Sequence, residues 1–127
     1  MKSIIQFTLM AFALVFITSC SNKTEEAIVY NDKIVDEQSK VLKSENHLIE
    51  TVSNNQLEQI QPAFDAFVKQ IKESLKAVDA MESFDEQDNF KKAAIKLFTV
   101  YLKVAETDYA EAIKLAQLQG EQITEQD

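Results

Sequence analysis

Between Glu25 and Val52, apolar pairs recur every seven residues: Ala27-Ile28, Ile34-Val35, Val41-Leu42 and Leu48-Ile49. Such spacing predicts one long helix with a coiled-coil-like stripe. Asn31, Gln38 and Glu45 repeat at the same interval and fall close to that stripe. They form a candidate polar seam. Polar residues beside a buried seam fix register in coiled coils, or they reach solvent at the stripe's edge, and this is the preferred reading. The alternative is a groove for a ligand or partner.

Ser53-Asn54-Asn55 interrupts the pattern, and Ser53 with Gln56 matches a capping box. A second helix then places Leu57, Ile60, Phe64, Phe67, Ile71, Leu75 and Val78 on one face, in steps of three and four. Pro62 complicates its start, because proline is favourable in the first turn and kinks a helix interior. Either the second helix starts at Pro62, with the first extended through Asn54, or it starts near Gln56 and kinks. The reading adopted is a break close to Pro62.

An acidic turn, Ser83 to Asn89, is bracketed by Phe84 and Phe90. The third helix carries Phe90, Ala94, Leu97, Tyr101, Ala105, Tyr109, Ile113 and Ala116 on one face. A restart at Thr107 has capping acids available, but the stripe runs through it, so one long helix is expected. Gly120 is the expected stop. Ile123 and Thr124 then read as a hydrophobic staple and an N-cap. Two readings fit this end: a frayed polar tail, or the start of a fourth helix that this chain lacks. In the second case a groove is left open, and an exposed apolar groove usually binds something.

Ahead of the helices lies a leader with the parts of an export signal. Met1-Lys2 is cationic, Ile4 to Ile17 is apolar except for Gln6 and Thr8, and Thr18-Ser19 is small. The apolar run is shorter than the about 20 residues of a spanning helix, and no basic stop-transfer cluster follows it. Ile17-Thr18-Ser19-Cys20 resembles the lipobox of bacterial lipoproteins. That resemblance implies a signal peptide over residues 1–19, cleavage between Ser19 and Cys20, and a thioether from Cys20 to diacylglycerol. The expected domains are then the signal peptide, a lipidated tether over 20–26 and a helical domain over 27–127. Two acyl chains anchor stably where one does not. Cys20 is the sole cysteine, so a disulfide framework is excluded as its role. Ser21, in place of the aspartate that retains enteric lipoproteins at the inner membrane, favours the outer membrane. Lys23-Thr24-Glu25-Glu26 loosely resembles the signals that send some lipoproteins to the cell surface, and reads equally as a solvated acidic tether.

Composition narrows the class further. One glycine and one proline in 127 residues leave too few turn residues for a sandwich or barrel. The fold class expected is all-α: an antiparallel bundle of three long helices, or a four-helix bundle lacking its last helix. The net charge is −8, and all 13 basic residues are lysines. Arginine leads in phosphate clamping and base reading, and an acidic chain repels the nucleic-acid backbone. Nucleic acid is therefore not an expected partner. Cleavage would also remove Lys2, making the mature domain more acidic still. Attachment to the membrane must then come from the lipid itself.

No nucleophile elbow, phosphate loop or zinc-protease motif occurs. A helical di-metal site needs two Glu-x-x-His units, whereas His47 is the only histidine and Ser44 precedes it by three. The acidic run Asp85-Glu86-Gln87-Asp88 lacks the central glycine of a calcium loop. The expectation is a non-enzyme without metal or cofactor, apart from the acyl modification at Cys20.

Tyr30 to Val35 and Phe90 to Tyr101 are similar to stretches in an uncharacterised family of small bacterial surface lipoproteins with helical mature domains. The resemblance implies no activity and no functional residue. It does imply that family members continue past residue 127. Together these readings predict a lipid-anchored envelope protein, at the outer membrane and facing periplasm or surface. It would act as a binding or structural module with a protein partner. Two alternatives are an acidic inhibitor or immunity-type protein that neutralises a cationic hydrolase or toxin, and an accessory subunit of an envelope enzyme. Charge-steered inhibition would weaken sharply with salt.

Overall fold

The computed structural model describes the backbone of residues 2–84, 86 and 88–124, and the side chains of residues 23–84, 86 and 88–118. The fold is all-α, and no strand occurs among the described residues. Helix α1 is Lys2–Ser53, α2 is Leu57–Asp79, α3 is Asn89–Val104, and α4 is Ala110–Thr124. A single π-helical turn, Ala105–Tyr109, joins α3 to α4. The chain divides into two compact units, Met1–Lys33 and Ile34–Asp127.

In the first unit the backbone is helical through residues 20–26, where a tether was expected. Ser19 and Cys20 lie outside the residues whose side chains are described.

The second unit is a three-helix bundle: α1 from Ile34 onward, α2, and the rod formed by α3, the π-turn and α4. Its core is made by Ile34, Val41 and Leu48 from α1, by Ile60, Phe67, Ile71 and Val78 from α2, and by Phe98, Ala105 and Ile113 from the rod. The α1 residues are spaced by seven, as the heptad pattern predicts. The pairs, however, are split. Their second members, Val35, Leu42 and Ile49, keep 44–47% of their surface exposed. A stripe two residues wide spans more of the helix than α2 and α3 cover.

Helix α1 ends differently from the expectation. Asn55 is left-handed at φ 52°, its N–H bonds the carbonyl of Val52 at 3.1 Å, and the N–H of Gln56 bonds that of Thr51 at 3.1 Å. These two bonds make a Schellman motif with asparagine in the glycine position. Ser53 therefore closes α1, and the Ser53/Gln56 capping box does not form: Gln56 is the N-cap of α2 without a side-chain cap bond.

The break near Pro62 is absent, since α2 runs from Leu57 through Pro62. Proline at the sixth helical residue forfeits one bond, to the carbonyl of Glu58. Glu58 and Pro62 are both exposed, so water can satisfy that carbonyl. Gly120 does not stop the rod, because α4 continues to Thr124. Glycine inside a helix costs about 1 kcal/mol relative to alanine, and Glu121-Gln122 are good helix formers. Ile123 and Thr124 thus lie within α4 and do not open a new helix. Residues 125–127 lie outside the described residues.

The acidic turn is tied by its brackets. Phe84 and Phe90 meet edge to face with centroids 6.3 Å apart, and Lys91 donates from Nζ to the carbonyl of Met81 at 2.9 Å. Asp88, left-handed at φ 59°, starts α3.

Candidate functional site: the groove between α1 and α3

Two seams of the second unit differ in chemistry. At the α1–α2 seam, Ala63 and Ser74 are buried alongside the large apolar residues. The Ser74 hydroxyl accepts from Gln70 Nε2 at 3.1 Å and donates to the carbonyl of Glu37 on α1 at 3.3 Å. Two small side chains allow close approach. Thr51, also buried, satisfies its hydroxyl on the carbonyl of His47 at 2.8 Å.

The α1–α3 seam is bridged by two polar rungs. Gln38 Nε2 donates to the hydroxyl of Tyr101 at 3.0 Å, and the Tyr109 hydroxyl donates to a carboxylate oxygen of Glu45. Two of the three candidate seam residues are therefore half-buried and bonded across helices, as register-fixing residues would be. Asn31 is exposed and belongs to the first unit. Sequence reasoning placed Tyr101 and Tyr109 on the inner stripe without pairing them to the seam. A readable signal was that the polar positions and the tyrosines recur at nearly the same interval.

Gln38 and Glu45 are seven residues apart, while Tyr101 and Tyr109 are eight apart. On an uninterrupted α-helix an eight-residue step turns the second tyrosine about 80° past the first, whereas a seven-residue step nearly returns to the same face. The π-turn takes up the extra residue through its i→i+5 bonding. It spans Ala105–Tyr109, so it lies between the two rungs. Thr107 Oγ donates to the carbonyl of Lys103 at 2.8 Å within it. Both tyrosines are also braced by phenylalanine rings: Phe98 stands 6.0 Å from Tyr101, edge to face, and Phe67 stands 5.3 Å from Tyr109.

The Tyr109 hydroxyl is pushed up from 10.0 to about 12. Its hydrogen bond to Glu45 is the main cause, followed by burial and by the repulsion between a phenolate and that carboxylate. The phenol is thus held neutral, as a donor, and is a poor acid near neutrality.

Val41, Leu42, Phe67, Val100 and Val104 line a cleft of about 300 Å³ with the rung residues Glu45, Tyr101 and Tyr109 in its wall. Its rims remain in water: Leu42 is 44% and Val100 49% exposed. Against known family models, curated proteins and solved structures, the chain matches nothing. The groove's own chemistry must carry the functional reading.

Elsewhere the surface is less suited to a ligand. A larger open cleft of about 540 Å³ lies between α2 and the π-turn, over Phe64 and Val68. Four of the six charged residues that line it form ion pairs: Lys72 with Glu106 at 2.8 Å, and Lys69 with Glu73 at 3.8 Å. His47 is exposed on the outer side of α1. No cluster of three metal-ligating side chains occurs among the described residues, and no helix among them is long and apolar enough to cross a membrane.

Proposed function

We propose that the protein is a lipid-anchored lipoprotein of the outer membrane or cell surface. It binds a protein through the α1–α3 groove and does not carry out catalysis. The observation that supports binding is the groove itself. It joins an apolar stripe on α1 to an apolar stripe on α3 across a floor whose polar groups already satisfy one another. A floor of that kind offers little to polar small molecules and suits an apolar helix face, the helix-in-groove mode of recognition. The anchor rests on the lipobox-like Ile17-Thr18-Ser19-Cys20, and the resemblance to small surface lipoproteins agrees with it.

The anchor is tested by feeding labelled palmitate to cells that produce the full chain or its Cys20→Ser variant. The full chain should take up label and partition into detergent, and the serine variant should do neither. Equal labelling of both would sink the anchor. The binding role is tested separately by Leu42→Lys, which should abolish partner capture from native membranes while leaving the helical circular-dichroism signal unchanged.

A further inference from the structure

We infer that the occupant of the α1–α3 groove is a second copy of this chain, with the two bundles side by side and their α1 helices pointing the same way. This rests on the groove-binding reading above and names its partner. The rungs set the geometry. Gln38 meets Tyr101 and Glu45 meets Tyr109, so α1 and α3 run parallel, with residue 38 level with 101 and residue 45 level with 109. A two-fold axis lying along the groove preserves those levels and exchanges the helices, so that α1 of one copy faces α3 of the other.

Apolar residues then meet at each level. Val35 stands level with residue 98 and faces Leu97 and Val100 of the second copy. Ile49 stands level with residue 113 and faces Leu115. All five are among the large exposed hydrophobic residues of the fold.

Charge selects this arrangement over its alternatives. Lys96 and Lys103 are exposed and flank Val100 at four and three residues. Asp36, exposed beside Val35, stands level with residue 99, between the two lysines. The proposed dimer brings Asp36 of each copy to this lysine pair of the other. Pairing α1 with its own copy instead sets like charge on like. In parallel register Asp36, Lys43 and Glu50 would each face themselves. In antiparallel register about Leu42, Asp36 would stand two residues from Glu50 of the copy, and Lys43 two residues from its own counterpart. Like charges placed opposite one another are a common device for suppressing wrong pairings.

The parallel arrangement also suits two chains held in one membrane. A stable free dimer buries about 800 Å² on each partner. Confinement to one bilayer raises the effective concentration and lets a smaller face suffice.

Two differently tagged full chains, one Val35→Cys and the other Val100→Cys, are co-expressed and oxidised in native membranes, with palmitate labelling read on the same sample. A chain without added cysteine gives the background. The expected result is a mixed-tag disulfide. Asp36→Lys in both copies should abolish it, and adding Lys96→Glu and Lys103→Glu should restore it. All of these positions are exposed, so the fold is retained, which circular dichroism checks. Labelled chains that form no mixed disulfide overturn the dimer and leave the anchor standing. A mixed disulfide between unlabelled chains does the reverse. A disulfide from a Val35→Cys and Ile49→Cys pair, in place of the first, also overturns the proposal, because it reports the antiparallel pairing.

Discussion

The α1–α2 and α1–α3 seams are built on the same helix, yet they are finished differently. The first is sealed: Ile71, Ser74 and Val78 of α2 are fully covered, and the one polar side chain among them, Ser74, is satisfied on both sides. In the second, polar rungs join the helices while Val35, Leu42, Leu97 and Val100 stay in water along its edges. Sealing maximises the apolar area removed from water, at roughly 25 cal/mol per Å². The open seam gives up part of that gain. The proposed association would cover this exposed apolar surface.

The comparison breaks most readily in the core that both seams share. Phe98 is fully covered and leans on Tyr101. Phe98→Ala should cost about 3–5 kcal/mol, read as a lower urea midpoint with little change in slope. Ser74→Leu tests the sealed seam alone. A leucine has no room where serine reaches the α1 backbone, so overpacking should cost about 1–3 kcal/mol. If Ser74→Leu were neutral, the α1–α2 seam would not be the tight one and the contrast would fail.

The open seam should respond to pH. Removing the acceptor with Glu45→Ala should cost about 1 kcal/mol at neutral pH, the usual net worth of one hydrogen bond. Tyr109 ionises at about 12 in the fold and at 10.0 in its ordinary state. Below 10 both folded and unfolded chains hold the proton, and the contribution is fully present. Between 10 and about 12 the unfolded chain sheds the proton first, so stability falls as pH rises through that window. Phenolate absorbance should show Tyr109 titrating near 12, and Glu45→Ala should bring that transition down towards 10.0. A wild type with no tyrosine transition near 12 would refute the Glu45 rung.

Much of this was legible in the sequence, and the failures share a physical cause. Heptad spacing located the buried residues Ile34, Val41 and Leu48 and placed Gln38 and Glu45 beside the seam. It could not tell which member of each apolar pair is covered, because that depends on where two other helices lie. Ala63 and Ser74 escaped notice because a hydrophobic pattern records large residues, while close approach is made by small ones. Pro62 and Gly120 were read as boundaries on intrinsic preference. Each costs at most a few kcal/mol, and a bundle that buries a full face of α2 overrides that. Asn55 ends α1 as a glycine would, through a left-handed conformation that asparagine tolerates.

The π-turn offers the sharpest and smallest test, because it too was written in the sequence. Along the third stripe, Leu97, Tyr101, Ala105, Tyr109 and Ile113 follow in consecutive steps of four. Each such step overshoots a full helical turn by about 40°, so four in a row would carry the stripe off the core. One wide turn at Ala105–Tyr109 resets it. Deleting Thr107 removes the surplus residue and leaves the tyrosines seven apart, matching Gln38 and Glu45 on an ordinary α-helix. Its exposed hydroxyl bonds only the Lys103 carbonyl of α3 and neighbouring Asp108. The deletion should therefore shift stability by about 0.5 kcal/mol or less, the range of a surface change. Removing Lys96 instead, from the regular part of α3, turns everything before it by about 100° relative to everything after and should unfold the bundle. If the two deletions were equally damaging, the π-turn would not be the device that keeps both rungs in register.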